Sequence, residues 1–400
     1  MVLSIADTLC STARWSCSGK ECTAVWRSTI FHLIFSTPSL YVIARWLWPL
    51  SLPLWSKLAG ALLLLAVSQF HFWSRLSSGS VFAAEFPRPV VIAFNWAFGA
   101  IVLLMAFQIL LDLSTLALHL TGVTDRWLPD GVRYGVAGLA MMLAAIGVAQ
   151  ATRIPPLKDV EVVVRGLPPQ FAGYRLLQLT DIHISRLFPA HWARELVARA
   201  NAADADLIVV TGDVIDGSVA MRGDDVAPLA QLSARDGVYA IPGNHEYFFD
   251  YAAWMRRFAD LGFRMLLNDH VVLCRGDAEL VLAGVTDVSA PHTGHAGPDL
   301  AKALAGAPAD VPIVLLDHEP KGARRSAASG VALQLSGHTH GGMVVGLDRI
   351  VARANDGFVS GRYDVDGMTL YVSNGTALWP GFALRLGIAS ELTRITLRPG

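Results

Sequence analysis

Apolar residues are distributed in two ways along this chain. As far as about residue 152 they form long uninterrupted runs, and beyond it they form short runs punctuated by glycine, proline and charge. The long runs are Ser28–Ala44, Leu58–Ser74, Pro89–Leu111 and Tyr134–Thr152, none of which contains Asp, Glu, Lys or Arg. Each approaches the roughly 20 residues that a helix needs to cross a bilayer, so the pattern predicts about four transmembrane helices over residues 28–152. Arg27, Arg45, Lys57, Arg75, Arg88, Arg133 and Arg153 bracket the runs, where long basic stems reach the headgroups. Trp46, Trp48, Trp55, Trp73 and Trp127 fall near the same ends, as interfacial aromatics do. Asn95 within the third run and Asp112 at its end read as packing or interface residues rather than as a polar pathway.

The second part alternates strand and helix signals. β-like runs occur at Glu161–Arg165, Arg175–Thr180, Asp206–Thr211, Gly237–Ile241, Leu280–Gly284, Pro312–Leu316 and Val331–Leu335. Helical spacing covers Pro189–Asn201, Tyr251–Leu261, Asp299–Ala305 and Pro320–Ala328, and Gly361–Leu397 alternates as β-structure without helices. This predicts an α/β layered domain. Pro155-Pro156 breaks the last long helix. The organisation expected is therefore a tail over 1–27, a transmembrane region over 28–152, a linker over 153–158 and a soluble domain over 159–400.

Charge sharpens the division. Residues 1–152 hold 15 of the 65 charged side chains and eight of the eleven Trp, a distribution typical of a membrane region joined to a soluble domain. A near-neutral balance of 32 basic and 33 acidic residues gives no nucleic-acid footprint, so no nucleic-acid binding is expected. No cleavable signal pattern precedes the first run. Four crossings put both termini on one side, with Arg14, Lys20, Arg27, Arg75, Arg88, Arg153 and Lys158 there, against Arg45, Lys57, Arg126 and Arg133 opposite. That bias favours a cytoplasmic catalytic domain. Cys10, Cys17 and Cys22 lie in the tail and Cys274 stands alone in the soluble part, as in a reducing compartment.

Five islands at the ends of β-like runs carry candidate chemistry: Asp181 and His183 in LTDIHIS, Asp213 in VVTGDVID, Asn244 in IPGNHEY, His318 in LLDHEP, and His338 with His340 in LSGHTHGG. Alternate residues at a strand end project to one side, so Asp181 and His183 can share an ion. A carboxylate offers two oxygens, which makes Asp213 the candidate bridge. Carboxylate, amide oxygen and imidazole together suit borderline divalent cations such as Mn, Fe or Zn. Two such ions can clamp a phosphate ester and generate hydroxide. His245 then stands outside the metal shell, able to protonate a leaving oxygen or stabilise phosphoryl charge. Asp317 and Glu319 are candidates to orient a ligand histidine. His32, His71, His119, His191, His270, His292 and His295 lack such a context.

Together, D-x-H, G-D, G-N-H-E, a later single His and G-H-x-H-G-G resemble the calcineurin-like metallophosphoesterases. The stretch V-x-G-L-P-P-x-x-x-G-Y-R-L-L-Q-L-T-D-I-H before them, with Tyr371-Val-Ser-Asn-Gly and Arg385-Leu386-Gly387 near the end, is similar to a bacterial membrane-associated branch of that family. The resemblance covers about residues 155–400. It implies a four-layer β-sandwich flanked by helices, with a dinuclear site between the sheets. It also implies one ion held by Asp181, His183, Asp213 and His340 and another by Asp213, Asn244, His318 and His338. A metal-bridging hydroxide would attack phosphorus and His245 would assist the leaving group. The tail departs from the branch at Gly387-Ile388-Ala389-Ser390-Glu391, where paired prolines often precede the Glu.

The expectation is a phosphohydrolase of a bacterial inner or plasma membrane, acting on a phosphate monoester, diester or pyrophosphate of lipid-linked or nucleotide-linked type. The competing reading is a non-catalytic metal-binding scaffold or sensor. It is disfavoured because all seven ligand positions and His245 are present. A transporter with a regulatory soluble domain is disfavoured by the scarcity of ionisable residues in the spans.

Overall fold

The short apolar runs of the second half become two six-stranded sheets. The computed structural model describes residues 32–122 and 129–400. Tail residues Cys10, Cys17 and Cys22, the start of the first apolar run, Arg126 and Trp127 lie outside the described residues. The chain divides into two units: Met1–Ala149 with Gly381–Leu384, and Gln150–Pro380 with Arg385–Gly400.

Twelve strands build the second unit: β1 (Leu157–Val164), β2 (Arg175–Leu179), β3 (Leu207–Thr211), β4 (Val238–Ile241), β5 (Arg264–Met265), β6 (Asp269–Arg275), β7 (Ala278–Gly284), β8 (Ile313–Leu316), β9 (Leu333–Ser336), β10 (Gly361–Val365), β11 (Met368–Val372) and β12 (Leu392–Pro399). The first sheet runs β1-β12-β2-β3-β4-β5 and the second β10-β11-β9-β8-β7-β6. β2, β3 and β4 are parallel, as are β7, β8 and β9, so their C-terminal ends emerge on one edge of each sheet. That is where open sheets place their sites.

Inner faces meet through Leu176, Leu207, Val209, Tyr239 and Ile241 of one sheet and Leu280, Leu282, Val314, Leu316, Leu333 and Leu335 of the other. Each fully buried side chain of this kind is worth about 1.5–3 kcal/mol. On its outer face the second sheet packs Val281, Ala283, Leu315, Leu370 and Val372 against Ala303 and Ala323 of short helices. β3 is buried at every position, the pattern of a strand covered on both faces. The helix Ala190–Asn201 buries Trp192, Ala193, Leu196, Val197 and Ala200. Helix, sheet, sheet and helix give the four layers.

Four elements of the second unit escape the sequence pattern: the helix Val219–Val226, the helix Asp348–Ala354, the two-residue strand β5 and the edge strand β6. β6 keeps only Leu273 buried, so it carries little apolar signal. β1 starts at Leu157, inside the stretch read as a linker, because its register with β12 begins there.

In the first unit, Arg88–Leu120 and Asp130–Thr152 are, among the described residues, the helices long and apolar enough to cross a membrane. Leu54–Ser68 and Phe70–Ser78 meet the same test only as a pair bent by 56°. Residues 32–42 are helical and lead into a π-helical turn, Ile43–Leu47. Asp112 accepts hydrogen bonds from Tyr41 (2.7 Å), Arg45 (3.0 Å) and Gln108 (2.8 Å). The Asn95 carboxamide oxygen accepts the Ala383 N–H at 2.6 Å and its NH2 donates to Val91. Both polar residues are therefore packing partners.

Candidate metal centre

Three of the strands that end at the site, β2, β3 and β9, lead into a backbone conformation unusual for their residues. Asp181 (φ 52°), His183 (φ 47°), Asp213 (φ 54°), His338 (φ 67°) and His340 (φ 50°) all sit in the left-handed region. This region costs non-glycine residues energy, and such residues cluster where surrounding structure holds a functional geometry. Flanking glycines allow the turns to pack. A Cβ on Gly243 would lie 2.3 Å from Asp213 Oδ1, and one on Gly337 would lie 2.1 Å from Thr180 Oγ1.

All seven residues read as ligands converge. Asp181, His183 and His340 form one group and Asp213, His318 and His338 another, each with candidate donor atoms within 4.8 Å of one another. His183 Nε2 is 3.4 Å from His340 Nε2, and His340 Nε2 is 3.5 Å from Asp181 Oδ1. On the other side, Asn244 Oδ1 lies 3.2 Å from His318 Nε2 and 3.1 Å from His338 Nδ1. Asp213 joins the halves, its Oδ2 being 3.3 Å from His318 Nε2 and 3.9 Å from His183 Nε2. Burial, then His183, hold His340 well below the usual imidazole range, and burial with His318 lowers His338 to about 4. Neutral His338 and His340 beside buried carboxylates present lone pairs toward the centre. This donor set fits divalent cations.

A second layer of contacts fixes these groups. His318 donates Nδ1–H to the Thr211 carbonyl at 2.7 Å, leaving Nε2 toward the centre. That corrects the expectation for Asp317, which burial, Asp287 and Glu319 raise to about 8. Glu319 reaches no closer than 3.9 Å to His338. Both Asp181 oxygens accept the His338 N–H at 3.1 Å. Glu246 accepts the N–H groups of Gly243 (2.7 Å), Val214 (2.7 Å) and Asp213 (3.1 Å), which ties the Asp213 turn to the Asn244 turn. Arg385, fully buried, donates to the carbonyls of His340 and Asn374.

His245 packs edge-on to His183, with ring centroids 4.7 Å apart. Its Nδ1 is 2.5 Å from Asp216 Oδ1, and the other Asp216 oxygen is 3.1 Å from His183 Nδ1. Burial alone would lower the His245 pKa, but Asp213 and then Asp216 outweigh it and raise it to about 9. Asp216 was legible only as a second acid in the D-V-I-D island. Nothing in the sequence distinguished it from a turn residue, and its role emerges from its simultaneous approach to both histidines.

A sandwich of two sheets with a buried carboxylate, amide and imidazole cage at the strand ends defines a metallophosphoesterase domain. Residues 174–342 match the calcineurin-like phosphoesterase family, and the chain belongs to that family as a metal-dependent phosphoesterase. A transmembrane protein with metallophosphoesterase domain from Bos taurus is 32% identical over 396 residues, covering 94% of this chain and 85% of the relative. A relative with the same description from Danio rerio is 33% identical over 270 residues, 65% of this chain and 61% of its own length. An uncharacterized metallophosphoesterase of Helicobacter pylori is 30% identical over 247 residues, 61% of this chain and 64% of its own length. The chain thus spans less than two thirds of the last two, and its relatives come from animals as well as bacteria.

Proposed function

We propose that this chain is a membrane-anchored phosphohydrolase that cleaves a phosphate monoester, diester or pyrophosphate at a dinuclear centre. The observation that carries the reading is the Asp213 carboxylate, which reaches both imidazole groups at once. Asp181, His183, Asp213 and His340 would hold one divalent ion, and Asp213, Asn244, His318 and His338 the other. Bound there, the pair would supply hydroxide from water and neutralise phosphate oxygens. The manganese, iron and zinc ions all suit the donor set.

The chain's own residues supply the rest. His245, protonated at neutral pH by its carboxylate neighbours, can give its proton to the departing oxygen. Asp216 holds that imidazole in place. Neutral His338 and His340 leave their lone pairs available for ions. Asn244 adds an oxygen donor without adding charge. The helices Arg88–Leu120 and Asp130–Thr152 support anchoring in a bilayer. A lipid-linked ester is the substrate type this anchoring favours, because such a substrate is delivered at the membrane surface.

The test uses the full chain in detergent, loaded with Mn and given bis(p-nitrophenyl) phosphate. Asp213→Ala should lower kcat by about a thousandfold or more, as loss of a unit-acting catalytic group does, and should cut bound metal below that of the wild type. Full turnover and full metal content in the variant would overturn the two-ion reading.

A further inference from the structure

Among the described residues, the large apolar side chains that the second unit exposes are Val163, Val288, Val345 and Ile350. The first two stand apart in the sequence. Val345 and Ile350 are five residues apart, and they are 70% and 51% exposed. Both follow the turn His338–Gly342 of the proposed centre. The helix Asp348–Ala354 turns Val351 inward and leaves Arg349, Ile350 and Arg353 outward. Neither arginine side chain makes a hydrogen bond or an ion pair among the described residues, whereas the Asp348 carboxylate takes the Gly346 N–H at 2.6 Å. A Cβ on Gly342 would lie 2.4 Å from Asp348 Cα, so the helix is seated directly on the turn that carries His338 and His340. Val345 donates its N–H to the Leu386 carbonyl at 3.1 Å, and a Cβ on Gly387 would lie 2.5 Å from Val345 Cγ2. The exposed face is therefore braced from two sides and continues the metal turn.

We propose that Val345, Arg349, Ile350 and Arg353 form a docking face for an anionic phospholipid bilayer, with the apolar pair in the headgroup layer and the arginines on lipid phosphates. The inference rests on the membrane-anchored reading and adds the face by which the second unit meets lipid. Apolar side chains interleaved with basic ones are the chemistry of an interfacial segment, and unpaired arginines complement the negative surface of a leaflet. The chain passes from the helix Asp130–Thr152 to β1 at Leu157 within a few residues, which keeps a bilayer around that helix within reach. A second copy of the chain fits the face less well, because a self-complementary contact would crowd four unpaired arginines into one interface.

The experiment uses the full chain with Cys10, Cys17, Cys22 and Cys274 changed to Ser, held in nanodiscs of phosphatidylcholine with or without phosphatidylglycerol. Val345→Cys, Ile350→Cys and, as a control, Val163→Cys each carry an environment-sensitive NBD dye, and doxyl lipids serve as quencher. The dyes at 345 and 350 should be quenched about twofold, as expected of groups ~5–10 Å into the headgroup boundary, and the dye at 163 should not. Quenching should grow with phosphatidylglycerol and fall with added salt. Arg349→Glu with Arg353→Glu should abolish both dependences and leave turnover of bis(p-nitrophenyl) phosphate at the wild-type level. If that variant misfolds by thermal unfolding, Arg349→Gln with Arg353→Gln takes its place with the same readout. Equal quenching at 163, or quenching indifferent to phosphatidylglycerol, would overturn the assignment. A blue shift that is present in detergent and rises with protein concentration would also overturn it, in favour of a second copy. Failure of the chain to stay in nanodiscs would overturn the membrane-anchored reading and the docking face with it, whereas retention with unquenched dyes at 345 and 350 overturns the docking face alone.

Discussion

At the scale of single residues the centre is held together by carboxylates that serve two masters. Asp213 faces His183 and His318, while Asp216 faces His183 and His245. Because Asp216 holds the proposed proton donor His245 in place, its loss should depend on the leaving group. Asp216→Asn is expected to cut kcat by about 10²-fold, the usual range for a misplaced acid, for an alkyl ester that must be protonated as it leaves. For p-nitrophenolate, which departs unaided, the loss should be much smaller. Equal losses on both esters, measured at saturating metal, would remove His245 from the role of acid. The same pair sets a pH dependence. His245 has a folded pKa raised from 6.5 to about 9, so its charging stabilises the fold fully below about pH 6.5, and that contribution fades as pH rises through about 9. Chelator-treated protein should therefore lose melting temperature between pH 7 and 10, and His245→Gln should flatten this slope. An unchanged slope in the variant would assign the loss to other groups.

At the scale of elements, the strand ends that bring the candidate ligands together were legible and their geometry was not. Buried runs such as Asp206–Thr211, followed by G-D, G-N-H or G-H-x-H, announce a strand end with polar cargo, and β2, β3, β4, β8 and β9 all deliver their ligands there. The left-handed turns of Asp181, His183, Asp213, His338 and His340 have no local signature, because tertiary contacts rather than residue preference impose them. Nor could the pattern show that β12 enters the first sheet between β1 and β2, since pairing across the length of a domain leaves no mark in local periodicity. The helix Asp348–Ala354 and edge strand β6 were illegible because short or half-exposed elements bury too few side chains to set a period. One element-level consequence is sharp. Gly337 closes β9 onto the Asp181 turn, and a Cβ there would meet Thr180 Oγ1 at 2.1 Å and Asp181 Oδ2 at 2.3 Å. Gly337→Ala should destabilise the domain by about 1–3 kcal/mol, the cost of overpacking, and should weaken metal binding through the displaced Asp181. Unaltered melting temperature and metal affinity would show that the β2 and β9 ends move apart freely.

At the scale of the whole molecule, charge is the physical quantity that decides which side of the bilayer carries the metal centre. The helices Arg88–Leu120 and Asp130–Thr152 are flanked by Arg88, Arg133 and Arg153. In the four-crossing arrangement expected from the sequence, Arg45, Lys57 and Arg133 fall on the side opposite the catalytic domain. Arg45 is neutralised there by Asp112 at 3.0 Å, and Arg133 is buried with its guanidinium on the Arg45 carbonyl. Those two side chains are committed to packing the helices, so they count less toward holding their loops in the cytoplasm than Arg153; Lys158 is itself paired, with Glu391 at 2.7 Å. The positive-inside bias thus favours a cytoplasmic catalytic domain. Among the described residues the bent pair Leu54–Ser68 and Phe70–Ser78 is the element on which the parity turns: as one crossing it makes three candidate spans, as a re-entrant hairpin it leaves two. A C-terminal fluorescent-protein fusion expressed in a bacterial host should be bright, and a C-terminal β-lactamase fusion should confer no ampicillin resistance. Resistance with a dark fluorescent fusion would reverse the assignment. It would also mean that the enzyme draws its phosphate ester from outside the cytoplasm.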